Sequence, residues 1–114
     1  MSDVIDVIIY PVKDVTQATP LYNTLLGTEP EMAAPYYVHY RVGDQQVGLV
    51  PIGNPQGMNV PTVFWLVDDI RARLQALVAA GGAIQEDVRN VGGGKLVASV
   101  KDADGNVVGL TQLP

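Results

Sequence analysis

The chain has no cysteine, a single histidine and few basic residues. The shortages of cysteine and of basic residues each exclude a class of function. Without cysteine, the protein has no disulfide, no thiolate metal site and no cysteine nucleophile. Seven Lys and Arg against twelve Asp and Glu give a formal net charge of −5. This charge excludes the basic surface that nucleic acid requires and disfavours binding to an anionic membrane.

Long apolar runs are also missing. None approaches the roughly 18 residues that a membrane-spanning helix needs. Asp3 and Asp6 interrupt the first ten residues, where a signal peptide would have its apolar core. The composition that remains, 47% hydrophobic in 114 residues, is typical of one folded domain with a single core. We therefore expect a soluble, cytoplasmic protein.

Two parts of the chain resemble each other at a spacing of 55 residues. Asp14 matches Asp69 at this spacing, and Gly27 matches Gly82. Each part has an apolar strand, then an acidic residue that suits a helix start, then a helical stretch that a glycine ends. In the second helix the apolar stripe is Ile70, Leu74, Leu77 and Val78. Pro20 predicts that the first helix is kinked or begins near Thr19.

Alternating residues after each helix predict hairpins. In the first half, strand 36–42 turns at Gly43-Asp44 into strand 46–51; in the second half, strand 96–100 turns at 104–106 into strand 107–113. The element order is therefore β-α-β-β-β, twice. We predict an α+β fold, a single domain over 1–114, with module one over about 1–52, a linker over about 53–59 and module two over about 60–114.

Two segments are the most specific: Phe-Trp-Leu-Val-Asp-Asp-Ile at 64–70 and Lys-Asp-Ala-Asp-Gly-Asn-Val-Val-Gly-Leu at 101–110. Together with the duplication, they resemble the glyoxalase/bleomycin-resistance/dioxygenase superfamily, also called the vicinal oxygen chelate superfamily, over nearly the whole chain. The resemblance implies two tandem βαβββ modules whose curved mixed sheets enclose a cavity, with helices on the outer faces. It also implies a homodimer.

Metal-dependent members of that family carry one ligand on the first strand and one on the last strand of each module, usually His, Gln or Glu. The matching positions here are Val7, Gly48, Thr62 and Gly109, which are poor ligands or none. The acidic residues available to replace them lie at predicted ends or loops: Asp3, Asp6, Glu29, Glu31 and Glu86. The resemblance is therefore to the metal-free branch, and we expect no metal and no other cofactor.

Side-chain parity relative to the four family positions predicts which residues line the cavity, and in the strand at 36–42 the polar face is the one assigned to it. The predicted ligand-binding residues are Val7, Ile9, Tyr37, His39, Arg41, Gly48, Thr62, Phe64, Leu66, Gly109 and Thr111. Trp65 lies on the opposite parity and is expected in the core. Gly48 and Gly109 are explained either by a backbone that passes close by or by space for a bulky ligand.

Three functions are open. The first is metal-independent binding of an apolar or aromatic small molecule in the cavity between the modules. The second is a glyoxalase-, lyase- or isomerase-like enzyme in which His39 acts as a general base and Arg41 holds an anion. The alternative interpretations of these two residues are a structural histidine and a solvated charge. The third is a dimeric structural or regulatory domain without a ligand.

Overall fold

The computed structural model describes residues 4–54, 57 and 59–114. They form two compact units: the first unit is residues 7–62, and the second unit is residues 4–6 with residues 63–114. The elements are β1 (Val4–Val12), α1 (Val15–Leu26), β2 (Met32–Ala34), β3 (Tyr37–Val42), β4 (Gln45–Pro51), β5 (Thr62–Leu66), α2 (Ile70–Ala79), β6 (Ala83–Asn90), β7 (Leu96–Lys101) and β8 (Val107–Gln112). Within the described ranges, no helix is long and apolar enough to cross a membrane.

The four strands of the first unit lie in the order β2-β3-β4-β1. β2 and β4 run antiparallel to β3, while β1 runs parallel to β4. The β3–β4 hairpin turns at Gly43-Asp44 as predicted, because Gly43 adopts a φ of 60°, which glycine reaches without strain. Strand β2 is short and had no bounds in the sequence pattern.

The second unit repeats this arrangement in the order β6-β7-β8-β5. β7 runs antiparallel to both β6 and β8, and β5 runs parallel to β8. The α+β class, the duplicated module and the mixed sheets are thus confirmed, while the cavity stays a prediction. Two acidic residues were misplaced, because Asp6 lies inside β1 and Glu86 lies inside β6 rather than at ends or loops.

Both helices begin at the predicted acidic residues. The Asp14 carboxylate accepts from the backbone N–H groups of Thr16 and Gln17, and Asp69 does the same for Ala72. Helix α1 ends at Gly27, in the left-handed conformation. Pro20 lies inside α1, so the alternative that this helix begins near Thr19 is wrong.

Each helix covers one face of its own four strands. In the first unit, Val15 of α1 packs with the buried side chains of Val38, Tyr40, Val47 and Leu49. In the second unit, Ile70 and Leu74 of α2 form the core together with the buried side chains of Val67, Ala98, Val100 and Leu110. The opposite face of each four-stranded group is called its helix-distal face below.

Two expected core positions are more exposed than the pattern indicated. Trp65 has the predicted parity, yet its side chain borders an open groove with Arg73 and Leu77 and is 38% exposed. Val78, expected in the apolar stripe of α2, is also exposed. The reason is the same in each case: parity and helical spacing give a direction, but these residues lie at the margin of the area that the packed elements cover.

The turn between β7 and β8 is closed by Asp102. Its carboxylate accepts hydrogen bonds from the backbone N–H groups of Asp104 and Asn106 and from the Asn106 side-chain amide, at 2.8–2.9 Å. These hydrogen bonds, chiefly those from Asn106, lower the pKa of Asp102 below its ordinary value of 3.8.

We expect Asp102→Ala to lower the melting temperature at neutral pH and to lose that effect in acid. A carboxylate with a lowered folded-state pKa stabilises the fold above the unfolded pKa, and this contribution is lost as pH falls through the folded value. Thermal unfolding of both proteins at pH 7 and at a pH below the lowered folded-state pKa of Asp102 measures the difference. Asp104→Ala removes a neighbouring charge but keeps the Asp102 hydrogen bonds, and serves as the control. A deficit of equal size at both pH values would contradict the prediction.

Candidate functional site

Six of the predicted ligand-binding residues share the helix-distal face of the first unit. Ile9 and His39 lie on either side of Gly48 in the strand register, and Val7 and Arg41 lie on either side of Gln46. Directly paired residues on adjacent strands point to the same face, and residues two apart on one strand do so as well. The six residues brought together are Val7, Ile9, Tyr37, His39, Arg41 and Gly48.

Gly48 has no free space above it. A Cβ atom added there would lie 2.7 Å from Cδ1 of Ile9, 2.8 Å from Cε1 of Tyr37 and 2.9 Å from the Tyr37 hydroxyl oxygen. The chain's own side chains therefore fill the position. Of the two explanations given for this glycine, a passing backbone is wrong, and space for a bulky ligand is wrong as well, because Tyr37 and Ile9 occupy it.

His39 is held at both ring nitrogens. Its Nδ1 lies 3.1 Å from Oε1 of Glu31, and its Nε2 lies 2.9 Å from Oε1 of Gln46. The ring stacks on Tyr37 with 6.0 Å between centroids, and the side chain is 15% exposed. The residue is therefore an ordered, hydrogen-bonded imidazole and not a solvated one.

Arg41 is attached to the same carboxylate as His39. Its Nε donates to Oε2 of Glu31 at 3.3 Å, so each oxygen of Glu31 has its own partner. Arg41 and Glu31 are both about half exposed, so solvent screens the pair and it adds little stability. Its consequence is geometric: one carboxylate fixes the two residues expected to meet a ligand.

The helix-distal face of the second unit carries four predicted residues in register. Phe64 lies opposite Gly109 and Leu66 lies opposite Thr111. The Phe64 ring covers Gly109, because a Cβ atom there would lie 2.5 Å from Cδ2 and 2.6 Å from Cγ of that ring. Here too a side chain of the same unit fills the position, so neither a passing backbone nor ligand space explains this glycine.

Two hydroxyl groups complete the account of the predicted residues. The Thr111 hydroxyl is fully buried without a hydrogen-bond partner in the described part of the chain. Ser99, which the sequence did not single out, lies opposite Gly109 on β7 and is also buried. Thr62 begins β5, and its hydroxyl donates to the backbone carbonyl of Val60 at 3.0 Å.

The residues at the four family positions do not fit a metal ion. Val7 has no donor atom, the hydroxyl proton of Thr62 is donated to the backbone, and aromatic rings cover the two glycines. Within residues 4–54, 57 and 59–114, no three His, Cys, Asp or Glu side chains lie close enough to hold an ion.

The comparisons with known proteins identify the family. The chain matches the family model described as Glyoxalase/Bleomycin resistance protein/Dioxygenase superfamily over residues 4–110. The chain belongs to this superfamily. No curated protein is similar enough in sequence to match it.

Solved structures of the superfamily fold align over almost the full chain at low identity. A hypothetical protein from Bacillus halodurans has a TM-score of 0.77 at 17% identity, with 100% of this chain and 96% of that chain covered. A variant of methylmalonyl-CoA epimerase from Streptomyces coelicolor, in complex with 2-nitronate-propionyl-CoA, has 0.76 at 14%, covering 98% and 95%. A glyoxalase/bleomycin resistance protein/dioxygenase superfamily member from Vibrio splendidus has 0.73 at 17%, covering 96% and 100%. At these identities the likeness is one of fold.

Glu31 and Gln46 are the two polar residues of the site that sequence reasoning missed. Gln46 carried a signal, because a two-residue turn at Gly43-Asp44 already places it opposite Arg41. Glu31 carried none. It precedes the short strand β2, and its backbone N–H donates to the His39 carbonyl, a contact that only the folded sheet creates.

Proposed function

We propose that this protein is a metal-independent small-molecule binding protein of the glyoxalase/bleomycin-resistance type. The ligand would contact the helix-distal face, where apolar side chains surround a few fixed polar groups, as is usual for small-molecule sites. An apolar or aromatic ligand suits Val7, Ile9 and Tyr37, while His39 and Arg41 give it orientation.

One observation carries the metal-independent part of the proposal: side chains cover both glycines at the family's ligand positions. A metal ligand at either position needs a Cβ atom, and that atom would lie within 2.9 Å of the covering side chains. The same arrangement has arisen in both units with different residues, Tyr37 with Ile9 in one and Phe64 in the other.

Thermal unfolding with added metals and ligands tests the proposal. After dialysis against a chelator, we expect added Zn²⁺, Ni²⁺ or Mn²⁺ to shift the melting temperature of the wild type no more than that of His39→Ala. A panel of aromatic compounds should contain at least one that stabilises the protein. A compound at 100 times its Kd adds about 2.7 kcal/mol to the free energy of unfolding, which is a shift of roughly 10 °C for a domain of this size.

Matched tyrosine variants locate the binding. Tyr37→Ala should remove the stabilisation by that compound, and Tyr36→Ala, which removes an exposed neighbouring ring, should retain it. Stabilisation by a stoichiometric metal that His39→Ala abolishes would contradict metal independence. A panel without any stabilising compound would contradict small-molecule binding.

A metal-independent enzyme is the second candidate, and the hydrogen bond between Glu31 and His39 favours it. A carboxylate that orients an imidazole is the arrangement of a general base. The epimerase among the structures of similar fold supports a proton-transfer reaction as the class to assay. We expect His39→Ala to abolish any turnover and to leave the circular dichroism spectrum unchanged; turnover that survives this substitution would exclude His39 as the base.

Homodimerisation is part of the proposal. Within the described ranges, β2 pairs with β3 and β6 pairs with β7, each along one edge, and a second copy can cover a free edge. Sedimentation equilibrium distinguishes a monomer of 12.1 kDa from a dimer.

A further inference from the structure

Glu31 determines which nitrogen of His39 faces a ligand. We propose that Glu31 is a positioning residue that keeps the proton of the neutral ring on Nδ1, so that Nε2 is the atom that acts on a bound molecule. This inference rests on the proposed function for its purpose, but the arrangement itself belongs to the ligand-free protein.

The chemistry of the carboxylate decides the tautomer. An ionised Glu31 has acceptor atoms alone, so the 3.1 Å contact between its Oε1 and Nδ1 of His39 is a hydrogen bond only if Nδ1 carries a proton. A neutral imidazole has one N–H, and its second nitrogen then presents a lone pair. Glu31 therefore leaves the lone pair on Nε2.

Gln46 is suited to both protonation states of the ring. Its side-chain oxygen Oε1 lies 2.9 Å from Nε2, which is the contact that a protonated Nε2 makes. When Nε2 carries a lone pair, the amide NH₂ group can donate to it; when Nε2 carries a proton, the amide oxygen can accept it. A rotation of the amide by half a turn exchanges the two, so the site holds a neutral and a protonated His39 in one geometry.

The charges of the cluster are balanced before and after proton transfer. Arg41 and Glu31 have opposite charges and are joined at 3.3 Å. A ligand that takes the place of the Gln46 amide and gives a proton to Nε2 becomes an anion as His39 becomes a cation, so the total charge is unchanged. The ligand keeps the electron pair of the broken bond, and the neighbouring Arg41 guanidinium stabilises the anion. Ligands with an acidic N–H, O–H or C–H group are therefore the class that fits.

The single histidine of the chain makes the test direct. In protein labelled with ¹⁵N-histidine, long-range ¹⁵N–¹H spectra at alkaline pH, where imidazole is neutral, report the tautomer of His39 without a ligand. We expect the wild type to be protonated at Nδ1. We expect Glu31→Ala to shift the population to the Nε2–H form, which can donate to Gln46.

Two variants separate this role from a general effect of the substitution. Glu29→Ala removes an exposed carboxylate two residues away and should keep the wild-type tautomer. Gln46→Ala should also keep it, because Glu31 is still present. An Nε2–H tautomer in the wild type, or a spectrum that Glu31→Ala leaves unchanged, would overturn the inference. Because the measurement needs no ligand, failure of the binding proposal would not affect it.

Discussion

Replacing Gly109 with alanine is expected to lower the free energy of unfolding by about 3 kcal/mol, the upper end of the usual range for overpacking a core. The new methyl group would lie 2.6 Å from Cγ of Phe64. Because Cγ is bonded directly to Cβ, the ring moves away only if the Phe64 side chain changes its rotamer or the backbone shifts. Phe64 is buried, so both movements disturb its neighbours. Chemical denaturation followed by circular dichroism measures the loss.

Gly48→Ala is the matched comparison and should lower the free energy of unfolding by less, about 1 kcal/mol. There the added carbon meets Cδ1 of Ile9 and the outer atoms of the Tyr37 ring, which are the free ends of side chains. Combining Gly109→Ala with Phe64→Leu should be less harmful than the sum of the two single changes by at least about 1 kcal/mol, because leucine vacates the ring position. Strictly additive losses would contradict the proposed contact.

Replacing Lys95 with methionine is expected to lower the free energy of unfolding by about 2 kcal/mol, because it removes a cation from beside a buried carboxylate. Lys95 Nζ lies 3.2 Å from Oδ2 of Asp6, whose side chain is 8% exposed. The loss is smaller than for a fully buried pair, since Lys95 is itself 30% exposed. The pair joins Asp6 to the segment that follows the glycine-rich turn at 92–94 of the same unit, so the turn should also become more susceptible to proteolysis.

Lys101→Met controls for the loss of a positive charge from the same unit, because Lys101 is exposed at the end of β7. The double variant Asp6→Asn with Lys95→Met should be more stable than Lys95→Met alone, since it also removes the buried negative charge that Lys95 balances. Equal losses for Lys95→Met and Lys101→Met in denaturation would show that the ion pair adds nothing.

Local patterns predicted the fold because each determinant acts over a few residues. The acidic caps at Asp14 and Asp69 and the turn at Gly43-Asp44 depend on hydrogen bonds or backbone angles within one turn. Pro20 was harder to place, because sequence alone does not tell whether packing compensates for a missing backbone donor inside α1. The prediction that Trp65 lies in the core was wrong for a related reason. Parity gives the direction of the side chain, but its exposure depends on how far α2 extends across the strands.

The candidate site was predictable to the extent that it follows strand parity. Alternation placed His39 and Arg41 on one face of β3, as the strand register has them, and their polarity was the reason for assigning that face to the cavity. Glu31 was not predicted as a site residue, because it is joined to His39 through the pairing of β2 with β3. The three residues of β2 have no recognisable pattern. The side chains that cover the two glycines were not predicted either, since a glycine in the sequence does not indicate which neighbour fills the space above it.

The covered glycines also limit which activities this chain can acquire by substitution. A larger side chain at Gly109 would meet the Phe64 ring, so it needs a second change at Phe64. Removing the ring first leaves a cavity that is destabilising by itself. The first of the two changes therefore lowers the free energy of unfolding in either order. New activities are more accessible through His39 and Arg41, whose polar atoms already lie on one face of β3.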